Sequence, residues 1–404
     1  MKKKILFLSY NDFQGGAAIA SYNMFNAIPS KKYEQEFNCI IKKTKNNKVK
    51  KIKISLFSYV KIIISIIFSQ TLFLIFNSKN KIKRSMCLFE TGILKNIDFT
   101  EIDIVHIQWL YNDVISLDEI LKIKKKLVIS LHDLWFCNGS FHYTPSNLNV
   151  FTKYFEKYLL RKKCKKILSR KDIVFTAPSL WCKNQFLNIL KKFNKANKPL
   201  PKVHVIGNVI DYNKNKQKKL TIYNDLFPKA EHICLIHYEK KNNFVKAYDH
   251  LFNLLTKINQ DKKNELKYFV IFGNNTKNFP YKKFDNLIFY DLGFVENKYI
   301  DQVYKIANVF VLTSRQETFS QLTADSIINN TPVVAFNCSG HKELIVHKQN
   351  GYLVKNYNIK GLIKGIKYFK NKNIKKSDKL KKFSKEKYYN NFLKNIYERN
   401  NSRF

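Results

Sequence analysis

The stretch VFVLTSRQETFSQLTADSIINNTPVVAFNCSGHKELIVHKQNGYLV, Val309 to Val354, decides the fold. Val309–Leu312 is a short, branched apolar run that ends in Thr313-Ser314 and delivers a loop carrying Glu317. A helical segment follows, with Asp325 about two turns beyond Glu317 and on the same face. Pro332 then starts a second buried run, which ends in the small-residue turn Cys338-Ser339-Gly340. Strand, loop, helix and strand in this order build a doubly wound α/β sheet, whose carboxyl-edge loops and helix N-termini form a ligand crevice. Two carboxylates there suit hydroxyl recognition, because they accept paired hydrogen bonds from the vicinal diol of a sugar or a ribose. In isolation the same spacing reads as a surface acid pair on an amphipathic helix.

Outward from this stretch, Ile233–Ile236, Phe269–Phe272, Leu287–Tyr290 and Pro332–Ala335 belong to one series of apolar runs. An earlier series comprises Ile5–Ser9, Ile102–Ile107, Leu127–Leu131, Ile173–Ala177 and Val203–Ile206. All are short and bounded by polar turns, as strands buried on both faces are. Ile5–Ser9 leads into Gly15-Gly16 and a helical pattern over Ala17–Ile28. Glycines at that place let backbone approach a ligand and open a helix that favours anions, although a bare Gly-Gly equally makes only a turn. Two such series predict two Rossmann-like domains facing across a cleft, over 1–211 and 212–384, with Asn213–Leu220 as linker. Residues 385–404 read as a closing segment, with a helical, aromatic pattern over Tyr388–Tyr397.

The formal charge of +43 on 404 residues raises a nucleic-acid reading. Lysine is spread along the whole chain together with heavy Asn and Ile, and no zinc-finger, RNP or helix-turn-helix signature occurs, so no nucleic-acid partner is expected. Such a surface favours anionic headgroups and phosphorylated substrates instead. The seven cysteines form no CxxC pair, which speaks against a zinc ribbon or a redox dithiol and for a reducing compartment. The N-terminal apolar run is short before Asn11 and Asp12 and reads as a buried strand rather than a secretion signal. Ser55–Asn77 is long enough to span a bilayer and carries only Lys61. A span there would interrupt the first sheet and is the minority reading; a helix pair resting partly on the domain and partly in the membrane interface is favoured, and a fully buried core helix is the third reading.

Val309–Val354 resembles the donor-binding core of glycosyltransferase family 4, which carries a Glu, seven residues, a second Glu, a small-residue turn and a Pro-Val-Val strand. The likeness extends over most of the chain. TAPSLWCKNQF and VHVIGNVIDY resemble the end of that family's first domain, with Asn208 and Asp211 retained while Gly207 and Val209 replace a Pro and a Gly. YDLGFVENKYIDQVYKIANVFVLTS resembles the approach to the acid motif, with Asn308 where an Asp is common. DIVHIQWLYNDVISL and VISLHDLWFCNGSFHY are similar to a subset used in polysaccharide and O-antigen assembly. There His106 and Trp109 follow a Val-His-x-His-Trp pattern in which Gln108 replaces the second His, and His132, Asp133 and Trp135 follow the next strand end.

The resemblance implies a GT-B fold whose C-terminal helix returns to the first domain. It implies retaining transfer of a hexose-type sugar from a nucleotide-diphosphate sugar, with no metal and no other cofactor. Glu317 would contact donor sugar hydroxyls, the backbone of Thr318 and Phe319 would cap that sugar, and Asp325, one methylene shorter than the usual Glu, would reach the ribose. The family's Lys-Gly for the donor phosphates is best matched by Lys246-Ala247, and Lys240 or Lys241 would stand for a preceding Arg. Gly16 would lie by the donor phosphates and Gly15 by the acceptor. His132 would reach the donor sugar near the reacting carbon, Asp133 would orient it or bind the acceptor, and His106 and Trp109 would line the acceptor cleft. The acceptor would be a glycan, lipid-linked, and the enzyme cytoplasmic, peripheral on an anionic membrane surface at the inner face of the cytoplasmic membrane. The competing readings are a sugar phosphorylase or epimerase, and a degenerate, non-catalytic homologue serving a glycan assembly complex.

Overall fold

The structure, a computed structural model, describes residues 2–398 apart from 14, 76–81, 111, 212–231, 240–242, 264, 371 and 373–377. Asn213–Leu220, expected as the linker, and Lys240 and Lys241 lie outside the described residues. The chain divides into two units, Met1–Val209 with Lys385–Phe404, and Ile210–Ser384.

Among the described residues the first unit holds seven strands, β1 (Lys3–Asn11), β2 (Tyr33–Ile41), β3 (Val49–Lys51), β4 (Ile104–Ile107), β5 (Lys126–Ser130), β6 (Val174–Ala177) and β7 (Lys202–Val205). They form one parallel sheet in the order β3-β2-β1-β4-β5-β6-β7. Its helices are α1 (Gly16–Asn26), α2 (Leu56–Ile75), α3 (Leu117–Leu121), α4 (Val150–Ser169) and α5 (Leu180–Phe193). Alternate residues of each strand enter opposite cores. Leu6, Leu8, Val105, Ile107 and Ile129 pack with Ile167, Phe186 and Leu190. Ile5, Phe7, Ile104 and Val128 pack with Met24, Phe25 and the aromatic end of the chain.

That end is an α-helical turn, Lys385–Tyr388, a π-helical turn, Tyr389–Leu393, and a further α turn, Lys394–Tyr397. Tyr388, Tyr389, Leu393, Ile396 and Tyr397 of this segment all point inward. Tyr388 Oη donates to Gly207 O (2.8 Å), so the closing segment packs on the first unit.

Three strands went unread, β2 and β3 here and Gly351–Val354 in the second unit. The first half of β2, YEQE, alternates charges, and β1 recruits it by pairing from Lys3↔Tyr33 to Asn11↔Ile41. β3 is a three-residue edge. Over Ser55–Asn77 the expected helix pair is corrected to the single continuous α2, because Ser65 and Ser69 fit the helix packing face and supply no break.

The second unit holds β8 (Ile233–His237), β9 (Tyr268–Phe272), β10 (Ile288–Asp291), β11 (Val309–Leu312), β12 (Val333–Phe336) and β13 (Gly351–Val354). They are parallel, in the order β10-β9-β8-β11-β12-β13, with α6 (Tyr248–Gln260), α7 (Ile300–Lys305), α8 (Gln321–Ile328) and α9 (Ile359–Tyr368). This order reverses direction between β8 and β11, the place where doubly wound sheets bind ligands.

Candidate functional site

The loops leaving β8 and β11, neighbours through Val311↔Ile236, carry Lys246 and Glu317. Lys246 Nζ donates to Glu317 Oε1 at 2.8 Å, and Ser314 Oγ donates to the same oxygen at 2.9 Å. Burial alone would raise the Glu317 carboxyl and lower the Lys246 ammonium. Their attraction outweighs it, holding Glu317 below and Lys246 above the usual values, so both are charged at neutral pH.

Both loops are tied down. Asn243 Oδ1 accepts from the N–H groups of Val245 and Lys246, each 3.1 Å. Arg315 donates its own N–H to Val245 O (2.9 Å) and Nη1 to Phe244 O (3.2 Å), and its guanidinium grips Asp249 on α6. Thr313 Oγ1 donates to Lys246 O (3.2 Å). Ala247 caps α6 in the left-handed region, φ 53 and ψ 50, fully buried. A Cβ there costs on the order of 1 kcal/mol, which physically accounts for a glycine preference after the lysine.

Glu317 is also fixed from behind. Its N–H donates to Ser339 Oγ (3.1 Å), Ser339 lies 3.1 Å from His341 Nδ1, and His341 Nε2 is 2.8 Å from Phe336 O. A carbonyl can only accept, so the His341 proton sits on Nε2 and Nδ1 accepts from Ser339. Burial keeps this imidazole below its ordinary pKa.

Thr318 and Phe319 follow, both buried, with the Phe319 ring edge-on to Phe383 at 5.5 Å. Ser320 caps α8 at φ 75. Asp325 is half-buried, and its Oδ1 accepts from Gln321 Nε2 at 2.9 Å. The expected shared helical face is corrected here: α8 starts only at Gln321, so Glu317 comes from the loop and Asp325 from the helix.

In the first unit, Gly15 caps α1 at φ 93 and Gly16 begins it. A Cβ on either would meet nothing within 4 Å, so this loop stands open. His132 follows β5, with Nε2 2.7 Å from Gln108 Oε1 and 3.3 Å from Ser21 Oγ. Ser21 spends its proton on Ala17 O (2.6 Å), and Gln108 turns its amide nitrogen to Met24 Sδ. Both groups therefore accept from Nε2–H, and Nδ1 carries the lone pair. Burial pushes the ring down to about 4, so it is neutral at pH 7.

Asp133 is corrected from orienting His132 to a different task. Its Oδ2 accepts from Trp109 Nε1 and His142 Nδ1, both 2.6 Å, and its Oδ1 from the Trp135 N–H at 2.9 Å. Burial would raise this carboxyl, but His142 and these donors hold it low. Trp109 stays half-buried with the Lys83 ammonium 4.1 Å above its ring. His106 is corrected from cleft to core. It is 0% exposed, with Nδ1 2.7 Å from Tyr397 Oη and Nε2 2.8 Å from Ser130 Oγ. Lying within β4, it points into the sheet face that the closing segment covers.

The loop after Asp133 is held by groups outside the motifs. Lys163 on α4 donates to the carbonyls of Trp135 (2.7 Å), Asn138 (2.9 Å) and Gly139 (2.9 Å). Gly139 permits that approach, since a Cβ would lie 2.4 Å from Glu156 O. Gln108 and Ser21, which set the His132 tautomer, and the Ser339–His341 relay were not singled out from sequence. Only Gln108 carried a signal, as a substituted motif position. Among the described residues no group of three or more His, Cys, Asp or Glu side chains could hold a metal ion.

Residues 228–387 match the family model described as Glycosyl transferases group 1, so the second unit carries a glycosyltransferase domain. A curated relative, an uncharacterized glycosyltransferase of Haemophilus influenzae, is 36% identical over 64 residues; the match spans 16% of this chain and 18% of that protein. Anabaena HepE, solved with UDP-glucose, superposes with a TM-score of 0.58 at 15% identity, covering 96% of this chain and 95% of that one. A glycosyltransferase from Rickettsia africae gives 0.56 at 16% identity, over 98% and 97% of the two chains. The lipopolysaccharide outer core galactosyltransferase WaaB gives 0.56 at 15%, over 98% and 99%. At these identities the likeness establishes the fold, two Rossmann-like α/β domains of GT-B type.

Proposed function

We propose that this chain is a retaining glycosyltransferase that moves a hexose-type sugar from a nucleotide-diphosphate sugar to a hydroxyl of a lipid-linked glycan in bacterial surface polysaccharide synthesis. The observation that carries the reading is the Lys246–Glu317 pair at the strand-order reversal of the second unit, inside the segment matched to the glycosyltransferase family. That HepE is solved with UDP-glucose and that WaaB is a lipopolysaccharide galactosyltransferase supports the donor and acceptor classes.

In this reading Glu317 Oε2 accepts from donor sugar hydroxyls while Lys246 and Ser314 hold Oε1. The backbone of Thr318 and Phe319 caps the sugar, and Asp325 turns from Gln321 to the ribose. Lys246 and the N-terminus of α6 stabilise the diphosphate as its charge grows, and neither a metal nor another cofactor enters the scheme. The anomeric carbon–phosphate oxygen bond breaks, the acceptor oxygen bonds the same face, and the acceptor proton passes to the leaving phosphate. Gly16 admits the phosphates near α1, and Gly15 and Trp109 contact the acceptor. His132, neutral, stands by the donor sugar near the reacting carbon. The enzyme works on the cytoplasmic side of the membrane that carries its acceptor.

Thermal unfolding against UDP, GDP, CDP, ADP and their sugar conjugates tests this, because a ligand of the folded state raises the midpoint with its concentration over Kd. One nucleotide family should stabilise the protein, and its sugar conjugate should be turned over. Stabilisation without turnover would favour the non-catalytic homologue, and no stabilisation by any would reject the donor site.

A further inference from the structure

Helix α2 is built inside out. Its buried residues are Ser58, Ile62, Ser65 and Ser69, a stripe with helical spacing that is mostly serine. Ser65 and Ser69 are each 1% exposed, whereas Ile64 and Ile67 are 55% and 59% exposed. The inner seam is polar by design: Ser69 Oγ donates to Asp113 Oδ1 (3.0 Å), whose oxygen also takes the N–H groups of Met86 and Cys87 at 2.8 Å. Phe57, Val60, Ile63, Ile64, Ile67 and Phe68 face outward, the reverse of a helix packed for water.

The helix touches its own unit along its length. Ser58 lies beside Gly92, Ile62 joins the core, Ser69 meets Asp113, and Phe73 lies under the Arg84 guanidinium at 4.0 Å. Ser58 to Phe73 is roughly 22 Å of helix. A segment seated in this way lies along the protein and does not leave it to cross some 30 Å of hydrocarbon.

Beneath the surface Arg84 ties α2 to α4, since its buried guanidinium also pairs with Glu156 at 3.4 Å. The first turns of α4 expose Val150, Phe151, Tyr154 and Tyr158. Between and beyond them stand exposed Lys153, Lys157, Arg161 and Lys162. The one acid of α4, Glu156, is buried, and the one charge of α2 is Lys61, whose ammonium folds over Phe57 at 4.4 Å. The occupant of this surface must therefore be apolar and negatively charged. A second copy of the chain would bring the same cations against themselves, while an anionic bilayer offers acyl chains to the aliphatic face and phosphates to the lysines.

We propose that the outer face of α2 and the first turns of α4 seat the first unit on an anionic bilayer, with α2 lying in the plane of the headgroup boundary. This stands on surface chemistry alone, and a chain that ignored vesicles could still transfer sugar.

The test is co-sedimentation of the full chain with vesicles of phosphatidylglycerol and phosphatidylcholine in equal parts, beside phosphatidylcholine alone. The mixed vesicles should bind it and the neutral ones should not. The variant K153Q/K157Q/R161Q/K162Q, which alters only exposed side chains, should bind at least about tenfold more weakly, and I63S/I64S/I67S should lose binding while keeping its circular dichroism. Alkaline carbonate should release the wild type. Equal binding to both vesicles, wild-type binding by the charge variant, or resistance to carbonate would overturn the proposal. So would a wild-type oligomer that the serine variant turns into monomer with vesicle binding unchanged.

Discussion

Replacing Lys246 with Met keeps the stem and removes the ammonium that balances Glu317. Removing one partner of a fully buried ion pair costs about 3–5 kcal/mol, chiefly by stranding the other charge. Here the side chains of Lys246 and Glu317 keep 19% and 11% of their exposure, and Ser314 remains bonded to Glu317, so the loss should be about 2–4 kcal/mol. For a unit of this size that lowers the unfolding midpoint by roughly 5–15 °C at pH 7. The double variant K246M/E317Q strands no charge and should recover more than half of the loss. The deficit should also shrink on acidification. Without Lys246, burial dominates and lifts the Glu317 carboxyl above its unfolded value of 4.5. A raised folded-state pKa gives stability that is present at low pH and lost as pH rises through it. Thermal denaturation of the four cycle members between pH 5 and about pH 8 reads all of this. A double variant less stable than K246M, or a deficit that does not change with pH, would refute the reasoning.

Acidification should weaken the wild type in a different window. Burial pushes His106 to about 3, His132 to about 4 and His237 to about 3, from 6.5. Depressed values mean that stability is full above pH 6.5 and falls as pH drops, by up to about 1.4 kcal/mol per pH unit for each ring; a flat midpoint from pH 7 to about pH 5 would contradict this burial. Lys163→Met strips three carbonyls of their donor and should cost the first unit about 2–4 kcal/mol, read by urea unfolding; a loss under 1 kcal/mol, roughly, would sink that role. His132→Ala should lower kcat roughly a hundredfold with nucleotide affinity little changed, and weakened nucleotide binding alone would misplace it.

The strands of both sheets were legible where they are apolar on both faces, as at Val309–Leu312 and Val333–Phe336. β2 was hidden because YEQE lies in the sheet through its pairing with β1, a long-range cause that no local window carries. Glu317 and Lys246 were both named from sequence, but their mutual bond was not, since 71 residues separate them. His106 misled because a strand-end motif was read as pointing outward, whereas Tyr397, 291 residues on, supplies the partner that buries it. The serine stripe of α2 was present in the sequence, but a run judged by its apolar residues gives no sign that Ser58, Ser65 and Ser69 form its packing face.

The most direct test of the central claim is release of nucleoside diphosphate from the stabilising sugar nucleotide, with wild type and Glu317→Gln side by side. The account predicts turnover by the wild type and none by the variant, which should keep its fold and its nucleotide-induced shift. Full turnover by Glu317→Gln would contradict the assigned site, and no turnover of any sugar nucleotide by the wild type, with a glycan-lipid acceptor present, would contradict the transferase reading itself.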